Sequence, residues 1–423
     1  MQIQNLFQFF LIKRLEHKKL EYLNKLQEKK MKRIINYAYN NTPYYHKKFK
    51  EHKIRPQDIK TINDLKKLPL LTKDDVLANY NDFLRRDIPT FETHQTSGTS
   101  GKPLCMQYEQ QHVFYNQSLF LRQLFMIGYK PWWKILYFDK IEKQSSHAAM
   151  LNFFKLFRKE ILDISLKTGD IQAKILKFQP TLLITSPSMI INFYPFCEEL
   201  KTKIFVLGGE VITKKMMKIF KQKFSLDDIF EWYSCWEFGY MGAECKEHSG
   251  MHLNLDANIF EFLENNEDVS PGELGDITIT NLTNFKMPLL RYKIGDLGVP
   301  LDLECSCGRS LPLVKNIKGR NDDLIVLPSG KLVLPEEIIN LFLNVYEFDR
   351  IKQLRIIQQK KSKIIIEFVG DQEEKELIFP KLLKALLNEN VEISMKKVDI
   401  IPTKKIKFIS SEVNNPFKKL SNK

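Results

Sequence analysis

Thr96-Ser97-Gly98-Thr99-Ser100-Gly101-Lys102-Pro103 is the stretch on which the reading of this chain turns. It places glycine backbone N–H groups, Ser and Thr hydroxyls and one lysine within a short span, the parts that hold phosphate oxygens. A flexible linker shares that composition, so the loop alone leaves two readings open. It is not a Walker A loop: only Thr99 and Ser100 separate its glycines, and Pro103 stands where that motif needs Ser or Thr.

From this loop to about Leu207, strand-like runs alternate with helical ones. Ile135-Leu136-Tyr137-Phe138, the amphipathic 172–178, Leu182-Leu183-Ile184 and Ile204-Phe205-Val206-Leu207 follow in turn. That alternation predicts an α/β architecture. Upstream, Lys, Glu and Leu without Gly or Pro predict a long surface helix or helix pair over 16–40, broken at Asn41-Thr42-Pro43, and short helices capped by residues such as Thr61 and Thr72 then follow. Downstream, 259–299 is a second β-rich region, and Ile317-Lys318-Gly319-Arg320-Asn321-Asp322-Asp323 is polar enough to hinge. Beyond it, a strand at 324–327, a helix at 335–345, strands near 354–358 and 364–368, a helix at 373–387 and a last strand near 391–400 predict a small α+β module in β-α-β-β-α-β order.

The 423 residues exceed what one core usually organises. Their formal net charge of +14 comes from lysines spread along the chain, the pattern of solvated faces rather than of a basic-aromatic nucleic-acid surface, so no nucleic-acid partner is expected. No segment approaches the roughly 18 apolar residues that span a bilayer, so no stable membrane insertion is expected. The opening 1–15 lacks the charge order and small-residue site of a signal peptide and suits an amphipathic helix packed on its own domain.

Six cysteines are too few for a disulfide scaffold. Cys245-Lys246-Glu247-His248 and Cys305-Ser306-Cys307-Gly308 together offer three sulfurs and one imidazole at Cys245, His248, Cys305 and Cys307, the ligand count of a closed structural zinc site. Reduced, packed cysteines are the other reading, and Cys105, Cys197 and Cys235 are read as packed thiols.

Taken in order, further segments give the loop its meaning: Thr42-Pro43-Tyr44-Tyr45 through Leu68-Pro69-Leu70-Leu71-Thr72-Lys73, Leu207-Gly208-Gly209-Glu210, Tyr233-Ser234-Cys235-Trp236-Glu237, Arg291-Tyr292-Lys293-Ile294-Gly295-Asp296-Leu297 and Gly319-Arg320-Asn321-Asp322-Asp323. In this order they resemble the acyl-adenylate-forming superfamily, in its branch of phenylacetate-CoA ligase-like and capsular-polysaccharide-biosynthesis-type proteins. The resemblance implies a large N-terminal AMP-binding domain of β-sheets flanked by helices over 1–318 and a small mobile α+β domain over 319–423. It implies an ATP-dependent enzyme that turns a carboxylic acid into an acyl-adenylate and passes the acyl group to an acceptor, coenzyme A first, with Mg2+ as the companion ion and a cytoplasmic location. A sugar or amine acceptor in surface-polysaccharide assembly, or a nucleotide-binding relative without turnover, are the alternatives; oligomeric state is left open.

Residue by residue, the resemblance assigns Thr96, Ser97, Gly98, Thr99, Ser100, Gly101 and Lys102 to the β- and γ-phosphates. Gly209 and Glu210 line the nucleotide, Tyr233 packs on adenine, and Asp296 accepts the ribose hydroxyls. Arg320 also contacts the nucleotide, and Glu237 attends magnesium. Asp322 falls at the domain pivot. Lys407, in Pro402-Thr403-Lys404-Lys405-Ile406-Lys407-Phe408, matches the lysine that enters during adenylation. Without the resemblance, Tyr233 reads equally as a core aromatic; for Asp322 a plain surface turn acid is the other reading. Two positions depart from the pattern: Trp236 replaces a hydroxyl residue, and Ile406 replaces a glycine.

Overall fold

The computed structural model describes residues 3–96, 102–139, 158–163, 166, 168–190, 196, 198–345, 353–369, 378–398, 409–413, 415 and 417. Its contacts divide the chain into two compact units, one of Met1–Tyr129 with Trp232–Asn316 and the other of Lys130–Glu231 with Ile317–Lys423.

In the first unit the predicted helices start where local chemistry caps them. Leu20–Asn41 ends at Thr42, and Pro43, which lacks a backbone donor, opens Pro43–Glu51 at its first turn. Thr72 and Asp75 cap each other at the start of Lys73–Ala78, with Thr72 N–H donating to Asp75 Oδ2 at 2.9 Å and Asp75 N–H to Thr72 Oγ1 at 3.2 Å. Strands Asn258–Glu264, Gly275–Asn281 and Tyr292–Leu301 pair antiparallel as a meander, and Gly239–Glu244 pairs with Met251–Leu253. The buried helix Gln110–Met126 packs on Ile3–Leu15 and on Gly239–Glu244.

Two buried ionic knots tie the early chain to this sheet. Arg122, fully buried, donates to Asp256 Oδ1 at 2.7 Å and to Asn254 Oδ1 at 2.5 Å, while the Tyr115 hydroxyl donates to Asp256 Oδ2 at 2.5 Å. Arg291, also fully buried and at a positive φ of 49°, donates to Glu261 at 3.1 Å and to the Leu68 carbonyl at 2.7 Å. The Leu71 N–H donates to the Arg291 carbonyl at 2.9 Å, and Lys293 N–H donates to the Leu71 carbonyl at 2.8 Å. Arg291 therefore works structurally, holding the Leu68–Lys73 motif against the strand that carries Asp296.

In the second unit, Ile135–Asp139, Lys159–Asp163, Leu182–Thr185 and Ile204–Gly208 form a parallel sheet in the order 159–163, 135–139, 182–185, 204–208. The strand Leu182–Thr185 is buried at every residue, which is why it reads as an unbroken apolar run. Helices Thr168–Phe178 and Lys214–Lys223 contribute Ile171, Ile175, Met216 and Phe220 to its core. The helix Pro335–Val345 gives Ile339 and Leu343 to that core and Ile338 to the core of a four-stranded sheet. That sheet runs in the order Glu392–Lys397, Lys363–Val369, Gln353–Lys360, Ile409–Ser411, its central pair antiparallel and its outer pairs parallel. The expected first strand of the module behaves differently: Ile325–Val326 forms a hairpin with Leu332–Val333, and Ile409–Ser411 takes the edge beside Gln353–Lys360. The Pro328-Ser329-Gly330 turn folds the former back on itself before it reaches the sheet.

Candidate functional site

The 96–103 stretch is rooted in a hairpin. Glu92–Gln95 pairs antiparallel with Cys105–Tyr108, and Gln95 faces Cys105. Above that pair, Thr96 N–H donates to the Leu104 carbonyl at 2.9 Å, and Leu104 N–H donates back to Thr96 Oγ1 at 3.0 Å. Thr96 thus closes the loop at its base, and Lys102 is exposed. Ser97, Gly98, Thr99, Ser100 and Gly101 lie outside the described residues, as does Lys407.

The strand Asp228–Cys235 and the turn after it come up beside this root. The Trp236 indole stacks on His94 with ring centroids 4.0 Å apart and planes 7° apart. The Tyr108 hydroxyl donates to the Trp236 carbonyl. Tyr108 in turn stacks on His112 at 5.2 Å, and His112 is gripped on both nitrogens: Asn116 Nδ2 donates to Nε2 at 2.8 Å, and Nδ1 meets Thr283 Oγ1 at 2.9 Å. With both partners fixed, the ring stays neutral, and burial pushes its pKa down to about 3. Asn116 reaches that position because residue 239 is glycine: Gly239 has φ 68°, and a Cβ there would fall inside the Asn116 carboxamide.

Tyr233 and Asp296, assigned from separate motifs, meet directly. The buried Tyr233 hydroxyl donates to Asp296 Oδ2 at 2.9 Å. Burial, followed by the nearby Glu237 carboxylate, pushes the Cys235 thiol well up, with Asp296 adding to the effect. Burial and the same Glu237 charge hold the Tyr108 phenol well above its ordinary range. Glu237 and Asp296 therefore put two carboxylates around one short stretch of strand, a surrounding suited to a hard cation and to hydroxyl donors.

The other assigned residues lie in the second unit. Gly208 ends its strand, Gly209 turns at φ 78°, and Glu210 accepts from Ser188 N–H at 2.9 Å and Ser188 Oγ at 2.5 Å. Gly319 comes close to this loop: at φ 113°, a Cβ there would stand 2.9 Å from Pro335 Cγ and 3.2 Å from Val211 Cγ2. Arg320 follows directly, and Asp322 sits in the 3-10 turn Asn321–Asp323, whose Asn321 carbonyl accepts from Asn415 Nδ2 at 2.7 Å.

The cysteine cluster is a second centre with one change of membership. Cys245, Cys305 and Cys307 come together, and the imidazole among them is His252, all four ligand atoms lying within 4.8 Å of one another. His248 instead sits at φ 49°, with Nδ1 3.3 Å from Glu244 Oε2. His248, expected as the fourth ligand, is the histidine nearest Cys245 in sequence. The fold takes the one that strand pairing sets opposite Ala243 and Leu313. Its flanking apolar residues, Met251 and Leu253, were the available signal that position 252 is buried.

No family model matches the chain. It is 25% identical to a phenylacetate-coenzyme A ligase of Escherichia coli over 77% of each chain. It is also 23% identical to the protein CapK of Staphylococcus aureus over 90% of this chain and 87% of that one. Among solved structures, a 2-hydroxyisobutyryl-CoA ligase superposes with a TM-score of 0.77 at 17% identity, covering 97% of this chain and 93% of that one. The fold is that of the acyl-adenylate-forming ligases. In sequence the chain is similar to phenylacetate-CoA ligases and to CapK. Among the described residues, no helix is long and apolar enough to cross a membrane.

Proposed function

We propose that this chain is an ATP-dependent, AMP-forming acid:CoA ligase, which activates a carboxylic acid as its acyl-adenylate and transfers the acyl group to the thiol of coenzyme A. The observation that carries the reading is the 2.9 Å hydrogen bond from Tyr233 to Asp296, which brings together the two residues that the resemblance assigns to adenine and to ribose. It lies in the unit whose Tyr108–Trp236 and His94–Trp236 contacts fasten the hairpin of Glu92–Gln95 and Cys105–Tyr108.

The residues divide the work. Thr96 through Lys102 hold the β- and γ-phosphates, so that pyrophosphate leaves in line with the incoming carboxylate. Asp296 accepts from the ribose, Gly209 and Glu210 line the nucleotide, and Arg320 adds a cation to it. Glu237, an oxygen donor, is the residue that would hold Mg2+, whose charge offsets that of the phosphates. Lys407 bridges the carboxylate and the α-phosphate during adenylation. A swivel of residues 319–423 against 1–318 about Asp322 separates the two half-reactions. ATP and coenzyme A as co-substrates favour a cytoplasmic setting.

The test is ATP–pyrophosphate exchange across a panel of carboxylic acids, followed by product analysis with coenzyme A. Exchange that requires an acid, and a thioester product, are expected. ATP binding in a calorimeter without exchange for any acid would leave a nucleotide-binding relative instead. The resemblance to capsular-polysaccharide-biosynthesis-type proteins, with the match to CapK over most of both chains, motivates a second reading, in which a sugar or amine takes the acyl group; an amide or ester formed with an amino sugar in preference to the thioester would select it.

A further inference from the structure

We propose that Cys245, His252, Cys305 and Cys307 bind one zinc ion as a closed structural site that fastens the N-terminal helices to the antiparallel sheet. All four donor atoms lie within 4.8 Å of one another, and two of their pairs have the separations a zinc tetrahedron sets. Zinc–sulfur bonds of about 2.3 Å and zinc–nitrogen bonds of about 2.0 Å set neighbouring sulfurs about 3.8 Å apart, and a sulfur and a nitrogen about 3.5 Å apart. Cys245 Sγ and Cys305 Sγ are 3.6 Å apart, and Cys307 Sγ and His252 Nε2 are 3.4 Å apart. A disulfide needs sulfurs about 2.05 Å apart, so the first pair is not a cystine and both thiols are free to bind a metal.

The surroundings orient the set as a metal site requires. His252 Nδ1 lies 3.2 Å from the Leu311 carbonyl, a contact that fixes the proton on Nδ1 and turns the Nε2 lone pair toward Cys307. Gly308, at φ 74°, lets the chain turn sharply after Cys307, and its N–H donates to the Cys305 carbonyl at 3.0 Å. Binding releases the thiol protons and leaves three thiolates and one neutral imidazole around a divalent ion, a net charge of minus one that the neighbouring Arg309 guanidinium offsets. With four protein ligands no coordination position is left for substrate, so the site is structural.

Its mechanical task follows from what the turn touches. Arg309 Nε donates to Glu16 Oε2 at 2.6 Å, Ser310 N–H donates to the Glu16 carbonyl at 2.7 Å, and the His17 ring meets the Gly308 carbonyl at 3.0 Å. The junction between helices Ile3–Leu15 and Leu20–Asn41 therefore rests on the same turn that carries Cys305 and Cys307.

Elemental analysis of the purified full chain should find about one zinc per chain, and X-ray absorption should fit three sulfurs at about 2.3 Å and one nitrogen at about 2.0 Å. Cobalt substituted for zinc should show sulfur-to-metal charge transfer and tetrahedral visible bands. His252→Asn should weaken zinc binding by more than the roughly tenfold that loss of an outer partner costs, and His248→Asn should leave it unchanged. Removing zinc with a thiol reagent and chelator should speed amide hydrogen exchange in residues 8–18. A metal-free chain, bound iron in place of zinc, an oxygen-rich coordination sphere, or metal loss in His248→Asn overturns the site. Unchanged exchange in 8–18 overturns its anchoring task. Should His252→Asn not fold, the absorption fit and cobalt spectrum of the unaltered chain together with His248→Asn decide the matter.

Discussion

Replacing Asp296 with alanine tests the nucleotide assignment through the ribose itself. The Tyr233 hydroxyl takes one of the roughly four acceptor positions of the carboxylate, and the proposal gives the ribose hydroxyls others. A hydrogen bond to a charged group contributes about 1.5–3 kcal/mol, so 2′-deoxy-ATP should be used about 10- to 150-fold less efficiently than ATP by the unaltered enzyme. In Asp296→Ala the carboxylate is gone for both nucleotides, and the ratio of their kcat/KM values in pyrophosphate exchange should approach unity while the ATP value itself falls. The two substitutions, one in protein and one in substrate, form a cycle that reports only their mutual interaction. Tyr233→Phe should give an intermediate result, because it removes a positioning donor and leaves the carboxylate. Full discrimination against 2′-deoxy-ATP in Asp296→Ala would refute the ribose role, whatever the variant does to the overall rate.

Other substitutions test the framework around this site. Gly239→Ala puts a Cβ at φ 68° and into the Asn116 carboxamide, and should cost about 1–2 kcal/mol for the backbone plus the displaced Asn116–His112 bond, read in denaturant unfolding; an unchanged midpoint would show that Asn116 yields freely. His112, held near a pKa of 3 against an ordinary 6.5, takes up its proton in the unfolded chain first as pH falls. Its contribution is therefore complete above about pH 6.5 and is lost toward pH 3, with a slope approaching about 1.4 kcal/mol per pH unit; His112→Gln should flatten the stability curve across that window. Arg291→Ala strands the buried Glu261 and should cost about 3–5 kcal/mol in unfolding experiments, an effect that exchange assays at low temperature will separate from catalysis. Trp236→Ala removes the stack on His94 and should cost about 0.5–1.5 kcal/mol in denaturant unfolding; an unchanged midpoint would show that the stack contributes nothing.

The elements most legible in the sequence are those whose signals are local. Pro335 opens its helix and Thr72 caps another, and the apolar run Leu182-Leu183-Ile184 is a buried parallel strand because both its edges are paired. Less legible are features that depend on which strand lies beside which. His252 joins the cysteines because its strand is sandwiched between Gly239–Glu244 and the start of Leu313–Arg320, whereas His248, nearer in sequence, lies on the turn outside the ladder. The same holds for Arg291, part of a nucleotide-associated motif yet occupied in securing Leu68, and for Ile409–Ser411, a short edge strand with no pattern of its own. In the site, Tyr233 and Asp296 were legible as motif members, but their direct bond needed the sheet to bring together positions separated by 63 residues.

The discontinuous make-up of the first unit has a consequence for synthesis. Gln27 Nε2 donates to the carbonyls of Leu255 and Asn258, at 3.2 and 2.8 Å, and Lys30 Nζ donates to the Asp256 carbonyl at 2.6 Å. At the usual 5–20 residues per second, the long helix leaves the ribosome roughly ten to fifty seconds before those acceptors exist. During that interval the helix, whose Met31, Ile34 and Ile35 are buried in the finished protein, lacks the acceptors that Gln27 and Lys30 bind. The nascent chain should accordingly engage chaperones through this helix, and a ribosome stalled before residue 258 should display it to proteases.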